Sequence, residues 1–384
     1  MRDYGDPEEG TDLEEFEESR PELPTNDSGI GSSSGGQSSG NPYLDRTCED
    51  YKVGIVCALP KELLAIRALF DDVNPDDIII PERDSNYYAL GCIGRHNVVA
   101  ACLPSREYGI SAATDVIIHM MRTFPVEFCL LVGIGGGVPS EKKYIRLGDV
   151  VVSHPDGIYP GVVQYDLGKA REWNVFELVG GLGRPPPFIL KAITKLESDT
   201  NRSCQPLQMK AYINQIARVD SLYQHPGREF DQLFPAGSRH KSNRTTCSDC
   251  GDGEIREDRE STDPKVHYGV IASGNKLIKD AQLRDELGAA YNAICVEMEA
   301  AGTMNRVACL VIRGICDYAD SHKNDVWQEY AAATAATYAK YLLSVVRNNQ
   351  VLDRSLMMPA DSSGPIKRRR TVTSLPPPKK LRPS

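Results

Sequence analysis

Residues 294–320 read ICVEMEAAGTMNRVACLVIRGICDYAD. Two apolar runs of strand length, Ala293–Val296 and Leu310–Ile315, enclose a helical segment at about 299–306. The unit is strand, helix, strand, and charge follows both strands. Glu297 and Glu299 flank Met298 after the first strand. Asp317 follows the second, with Arg313 four residues before it. Carboxylates at the end of a buried strand are costly unless they bind something. A helix dipole in its first turn satisfies one glutamate well and two poorly. An aspartate at such an edge can have its pKa raised by burial and act as a proton donor, whereas an Asx-turn or helix cap suits Asp320 better.

Outward from this unit the same alternation continues. Strands are expected at Lys52–Leu59, Phe128–Val132, Asp149–Ser153, Val162–Tyr165 and Tyr268–Ala272, with a hairpin of Tyr87–Ile93 and Asn97–Leu103. Helices are expected at Pro60–Phe70, Ile110–Arg122, 187–198, 278–287 and 325–346. Strands apolar on both faces, interleaved with helices from about 51 to 346, predict one three-layer α/β/α domain around a mixed sheet. Inside it, the polar stretch 238–263 shows no period and reads as an insertion. Its Cys247-x-x-Cys250 is half of a zinc site, but no second pair follows and His240 has the wrong spacing for a finger, so no metal is expected.

The run Val132-Gly133-Ile134-Gly135-Gly136-Gly137-Val138-Pro139 follows a predicted strand and reads as a loop that can present bare N–H groups to a ligand, or as a plain strand-end turn. It is neither the dinucleotide fingerprint, since Val138 and Pro139 stand where a glycine and a helix belong, nor a P-loop, since Gly-Lys-Ser/Thr is missing. Glu62, on the first turn of a helix, means little by itself.

Composition narrows the class. Of the 384 residues, 41% are hydrophobic and 25% charged, as in ordinary soluble proteins. No apolar run reaches the roughly 18 residues of a membrane span, and the first residues are acidic, so neither a membrane helix nor a secretory leader is expected. The 11 cysteines, many in apolar runs, read as reduced thiols in an intracellular protein. The net charge of −9 hides opposite ends: residues 1–50 carry about −11 and 347–384 about +7. A generally basic nucleic-acid binder is excluded, and no nucleic acid is expected as partner. Residues 1–50, acidic and then Ser/Gly-rich, read as disordered. They contain Asp27-Ser28-Gly29-Ile30-Gly31-Ser32, which resembles a phosphodegron and also fits a plain linker. Residues 347–384 carry Lys367-Arg368-Arg369-Arg370 and Lys379-Lys380-Leu381-Arg382 around a Pro-rich spacer. That pattern reads as a bipartite nuclear-localisation signal for an import receptor, or as a solubilising tail, and places the protein in the nucleus or the cytoplasm.

Taken together, "KVGIVCALPKE", "VGIGGG", "LGDVVVS", "GVIASGN", "VEMEAAG" and "RGICDYAD", in this order, resemble the purine nucleoside phosphorylase and methylthioadenosine/adenosylhomocysteine nucleosidase superfamily. The likeness extends from about Tyr51 to Val346 and is nearest to a fungal branch, whose members stand alone or are fused to immune-receptor-like NTPase and repeat modules. It implies a phosphorylase-like fold and cleavage of a ribose–purine bond without a cofactor, in a homo-oligomer. By position, Asp317 matches the general acid at purine N7, and Glu299 the carboxylate on the ribose hydroxyls. Met298 would pack under the ribose, while Asn275, Leu277 and Ile278 fall where the base is read. Gly133, Gly135 and Gly136 match the loop that borders the nucleophile.

The same resemblance bears on the nucleophile. Phosphorolytic relatives carry an arginine where Leu131 stands, and usually another in the loop after the first strand. Glu62 instead matches the glutamate that activates water, with Arg313 and Glu299 around it. Hydrolysis is therefore the first expectation and phosphorolysis the second. A non-catalytic nucleoside-binding regulator is the rival of another class. At the substrate's 5′ end, Arg106, Gly109 and Ser111 lead into a helix whose N–H groups suit a phosphate, and Lys323 adds charge. The expected ligand is thus a purine nucleoside or nucleotide, with adenosine, AMP, ADP and ATP all open.

Overall fold

The apolar runs pair into one mixed sheet. In chain order the strands are β1 (Val53–Cys57), β2 (Asp72–Val73), β3 (Tyr88–Ile93), β4 (His96–Cys102), β5 (Phe128–Gly137), β6 (Val150–Ser153), β7 (Val162–Gln164), β8 (Gly168–Ala170), β9 (Phe176–Leu178), β10 (Gln232–Leu233), β11 (Glu254–Ile255), β12 (Val266–Ser273), β13 (Ala293–Glu297) and β14 (Cys309–Asp317). The helices are α1 (Pro60–Arg67), α2 (Ile110–Thr123), α3 (Pro187–Ser198), α4 (Cys204–Val219), α5 (Ala281–Tyr291), α6 (Ala300–Thr303) and α7 (Gln328–Val345). This computed structural model describes residues 46–347, apart from 75–77, 141–142, 171, 173–175, 199–203, 242–246, 248–249, 252, 257–258 and 260. The Ser28/Ser32 motif and the two basic clusters lie outside the described residues. No described helix is long and apolar enough to cross a membrane.

Strand order is β13-β12-β6-β14-β5-β1-β4-β3-β2, with β7 added on β12. β14 runs parallel to β5, so both deliver their carboxyl ends to the same edge, where open α/β sheets bind ligands. β13 pairs with β12 and also, antiparallel, with β5 through Cys295–Gly137 and Val296–Gly136. That second pairing closes β5, β14, β6, β12 and β13 into a ring. It sets the end of β13, with its glutamates, against the ends of β5 and β14.

Alternation along the strands decides which side each residue faces. Leu130, Val132, Leu310 and Ile312 pack with α3, α4 and α7, while Leu131, Val311, Ile117, Met120 and Met304 fill the opposite side with α2. Helices on both faces of a mixed sheet make the expected three layers. α7 approaches closely because it is rich in alanine and because β14 carries Gly314. A Cβ on Gly314 would lie 1.8 Å from the Ala331 carbonyl oxygen.

Three readings of the sequence need correction. The glycine run is strand, not loop: β5 continues through Gly137. Glycine is a poor strand former, but here partners on two sides leave no room for side chains. Second, 204–219 is a helix that the periodicity reading passed over; Met209, Ile213 and Ile216 form its buried stripe. Third, the stretch 238–263 is not wholly irregular, since β11 pairs antiparallel with β10.

Candidate active site

Arg313, at the middle of β14, is buried to 1% exposure and donates to two carboxylates. Its Nη2 bonds Oε2 of Glu297, and Oε2 of Glu299 at 3.2 Å. Burial alone would lower the Arg313 pKa, but Glu297, Glu299 and Glu62 outweigh it and raise it, so the guanidinium stays charged. Glu297 also accepts from the N–H groups of Glu299 and Ala300, fixing the start of α6. Glu299 accepts from the N–H of Gly109 at 3.3 Å. Burial pushes the Glu299 carboxyl up to about 7, Arg313 pulling against it and Glu297 and Glu62 adding to it.

Glu62 reaches the same place from the first turn of α1. Its Oε2 accepts from the N–H groups of Ala58 and Leu59 at 2.7 and 2.9 Å, and its Oε1 from that of Ile134 at 2.8 Å. Burial raises its pKa, against the pull of Arg313 and of those three donors. Gly133 explains how Glu62 and Arg313 fit side by side: a Cβ there would sit 2.5 Å from Arg313 Nη1 and 2.5 Å from Glu62 Oε1.

Asp317 ends β14 opposite Gly136. Its Oδ1 accepts from the N–H of Ala319 at 2.8 Å, and its Oδ2 from the ammonium of Lys323. The Cys316 thiol lies 3.0 Å from Oδ2, and burial pushes that thiol well up, keeping it neutral. Burial would lower the Lys323 pKa, but Cys316, Asp317 and Asp325 together raise it.

These groups open on one cavity of about 430 Å³, within the range of small-molecule sites. Glu62, Glu299, Arg313, Asp317 and Lys323 line it, with Met298, Leu277, Ile278, Gly135 and Gly136. The sequence reading missed Tyr108, Lys276 and Lys279, which also line it. The two lysines are exposed and flank the Leu277-Ile278 pair, a signal that was open to reading as a basic rim.

Other expected residues sit elsewhere. Asn275 does not face the cavity as a base reader. It ties two segments together, accepting from the Ile110 N–H and donating to Asp166. Arg106 and Ser111 are exposed and are not among the lining residues. At the start of α2 the Gly109 N–H goes to Glu299 and the Ile110 N–H to Asn275. Gly133 lies behind Glu62 and Arg313 rather than on the wall. Lys323 is held by Asp317 instead of reaching for a 5′ group, because it follows the strand end by only six residues. Leu131 is fully buried in the core, away from the lining set.

A sheet closed on itself with helices on both faces is a phosphorylase-like fold, and in sequence this chain resembles the phosphorylase superfamily. Residues 207–348 match that superfamily's family model. A nucleotide-binding leucine-rich repeat (NLR)-like protein of Hyaloscypha variabilis is 44% identical over 302 residues, which are 78% of this chain and 30% of that protein. The ATP nucleosidase Cap17 of Escherichia coli is 24% identical over 292 residues, 73% of this chain and 49% of that one. The chain thus spans less than half the length of either relative. The crystal structure of the Helicobacter pylori 5′-methylthioadenosine/S-adenosylhomocysteine nucleosidase superimposes with a TM-score of 0.50 at 18% identity, covering 77% of this chain and 99% of that one, a likeness of fold.

Proposed function

We propose that this chain is an N-glycosidase that hydrolyses the ribose–base bond of purine nucleosides or nucleotides. The observation that carries the reading is the convergence of Asp317, Glu299, Arg313 and Glu62 on one cavity. Bond cleavage leaves positive charge on the sugar and negative charge on the departing base. Asp317 passes a proton to purine N7, drawn from the Lys323 ammonium bonded to its Oδ2, and Glu299 grips the ribose hydroxyls and offsets the developing sugar charge. Water adds to C1′ and gives its proton to Glu62, whose raised pKa suits a base. Met298 supports the ribose, and Leu277 and Ile278 border the base.

Water rather than phosphate is favoured by charge. Glu62 is an anion, and Arg313 beside it is already paired with Glu297 and Glu299. A phosphate dianion there would meet a carboxylate beside an arginine already engaged by two others. For the substrate's far end, Lys276 and Lys279 at the cavity wall favour a phosphate-bearing substrate, and the name of the Escherichia coli relative, an ATP nucleosidase, points the same way. Adenine nucleotides are therefore the first substrates to try. The test exposes the protein to ATP, AMP, adenosine and inosine, with and without phosphate, and separates base from sugar product by chromatography. Base release independent of phosphate is expected. Release that requires phosphate would make the enzyme a phosphorylase, and equal (absent) turnover by the wild type and Asp317→Asn would leave a binding protein.

A further inference from the structure

We propose that His240, Cys247 and Cys250 hold a zinc ion, with the imidazole of His322 completing a tetrahedral set. The spacing His-x6-Cys-x2-Cys matches no finger, but folding brings the three ligand atoms within 4.8 Å of one another. Nδ1 of His240 lies 3.3 Å from Cys250 Sγ and 3.7 Å from Cys247 Sγ. Zinc bonds of about 2.3 Å to sulfur and about 2.05 Å to nitrogen, at the tetrahedral angle, require a sulfur–nitrogen separation of about 3.6 Å. The observed distances bracket that value. Both thiols are free, and the Cys250 N–H donates to the Cys247 carbonyl at 3.0 Å, a tight turn that aims the two sulfurs together. Two thiolates and an imidazole select a soft cation over magnesium or calcium.

An independent observation supplies the fourth position. His322 is buried to 5% exposure, yet neither of its ring nitrogens has a hydrogen-bond partner. Its Nδ1 lies 3.7 Å from Asp320 Oδ1, too far for a hydrogen bond, and a buried imidazole without hydrogen bonds calls for a ligand. Its ring stacks on Phe234 at 3.6 Å and meets the His240 ring edge-on at 5.6 Å. Two imidazoles on one tetrahedral zinc hold their ring centres about 5 Å apart by the same bond lengths; the His322 nitrogens stand outside the group of three ligand atoms that lie within 4.8 Å of one another, so the ring must move or turn to join them. Cys247 Sγ already lies 3.8 Å from the His322 carbonyl oxygen. The ion would fasten the 238–263 stretch to the loop that carries Lys323 to Asp317. A second cavity, of about 370 Å³, joins the two places, lined by Cys247 and His322 as well as by Asp317 and Lys323.

The test is metal content and affinity of the full chain purified with its thiols reduced, read by elemental analysis and by zinc competition against a chromophoric chelator. One zinc per chain is expected, and cobalt in its place should give the visible absorption of a tetrahedral thiolate site. Cys247→Ser and Cys250→Ser should each weaken zinc binding by more than the about 10- to 100-fold that loss of an outer partner costs. His322→Asn should weaken it and change the cobalt spectrum. A reduced chain that binds no more zinc than the Cys247→Ser/Cys250→Ser double variant overturns the site. An unaltered cobalt spectrum in His322→Asn overturns the fourth ligand. Circular dichroism of each variant separates loss of metal from loss of fold, and none of these readouts depends on glycosidase activity.

Discussion

The ammonium of Lys323 is bonded to Oδ2 of Asp317, on the wall of the cavity that would receive the base. On the proposed mechanism a cation placed there acts on the proton donor rather than on a substrate phosphate. Lys323→Met should therefore lower kcat about 10- to 100-fold, the worth of one hydrogen bond to a charged group, on nucleosides and nucleotides alike. Steady-state kinetics on adenosine and ATP checks this. A rise in KM confined to ATP would return Lys323 to the 5′ end. Asp317→Asn should lose more, about 100- to 10,000-fold.

Glu299 is costly to the fold. Its pKa of about 7 stands above the ordinary 4.5, so the folded chain holds a proton that the unfolded chain releases between those values. Its contribution to stability is thus most favourable below pH 4.5, falls as pH rises to about 7, and stays low above that. Glu299→Gln should abolish this slope: relative to the wild type, the variant's Tm should gain between about pH 5 and about pH 8, while turnover drops about 100- to 1,000-fold. Thermal melts across pH decide the first part. A variant that loses ground at high pH would show that the Arg313 pair dominates.

Glu62 has two candidate roles, since its oxygens accept three backbone N–H bonds at the start of α1 and below Ile134. Glu62→Gln exchanges an acceptor for a donor, at a cost of about 1–3 kcal/mol, and should reduce kcat about 100- to 10,000-fold. Denaturation and single-turnover assays on the same preparation separate the effects. A lower Tm with unchanged turnover of the folded fraction would leave Glu62 a cap only.

Gly314 tests the packing beneath the site. An added Cβ would meet the Ala331 carbonyl at 1.8 Å, so Gly314→Ala must push α7 off β14. A loss of at least about 1–3 kcal/mol is expected, measurable by urea unfolding. A stable variant would mean that α7 can slide without disturbing Arg313.

Legibility followed locality. Asp317, Arg313 and Glu299 were readable because charge at the end of an apolar run breaks the pattern within a few residues. The antiparallel pairing of Val296 with Gly136 was not, because contact across 160 positions leaves no local trace. The glycine run misled for a physical reason: glycine is unfavourable in strands in general, and here crowding from Cys295, Asp317 and Ala319 demands it. α4 was hidden by Pro206 and by polar residues around a narrow stripe. Lys323 and Asn275 were assigned by position along the chain; the Asn275 partners lie where only the folded path brings them, while Lys323 turns back six residues onto Asp317.

Because β13 locks onto β5, the walls that carry Glu299, Arg313 and Asp317 cannot drift apart without unzipping a continuous belt of strands. The geometry proposed to break the bond is thereby insulated from change at the rim. Lys276, Lys279 and Tyr108 stand outside the belt, so exchanging them can retune which molecules are admitted and leave the scissors themselves untouched.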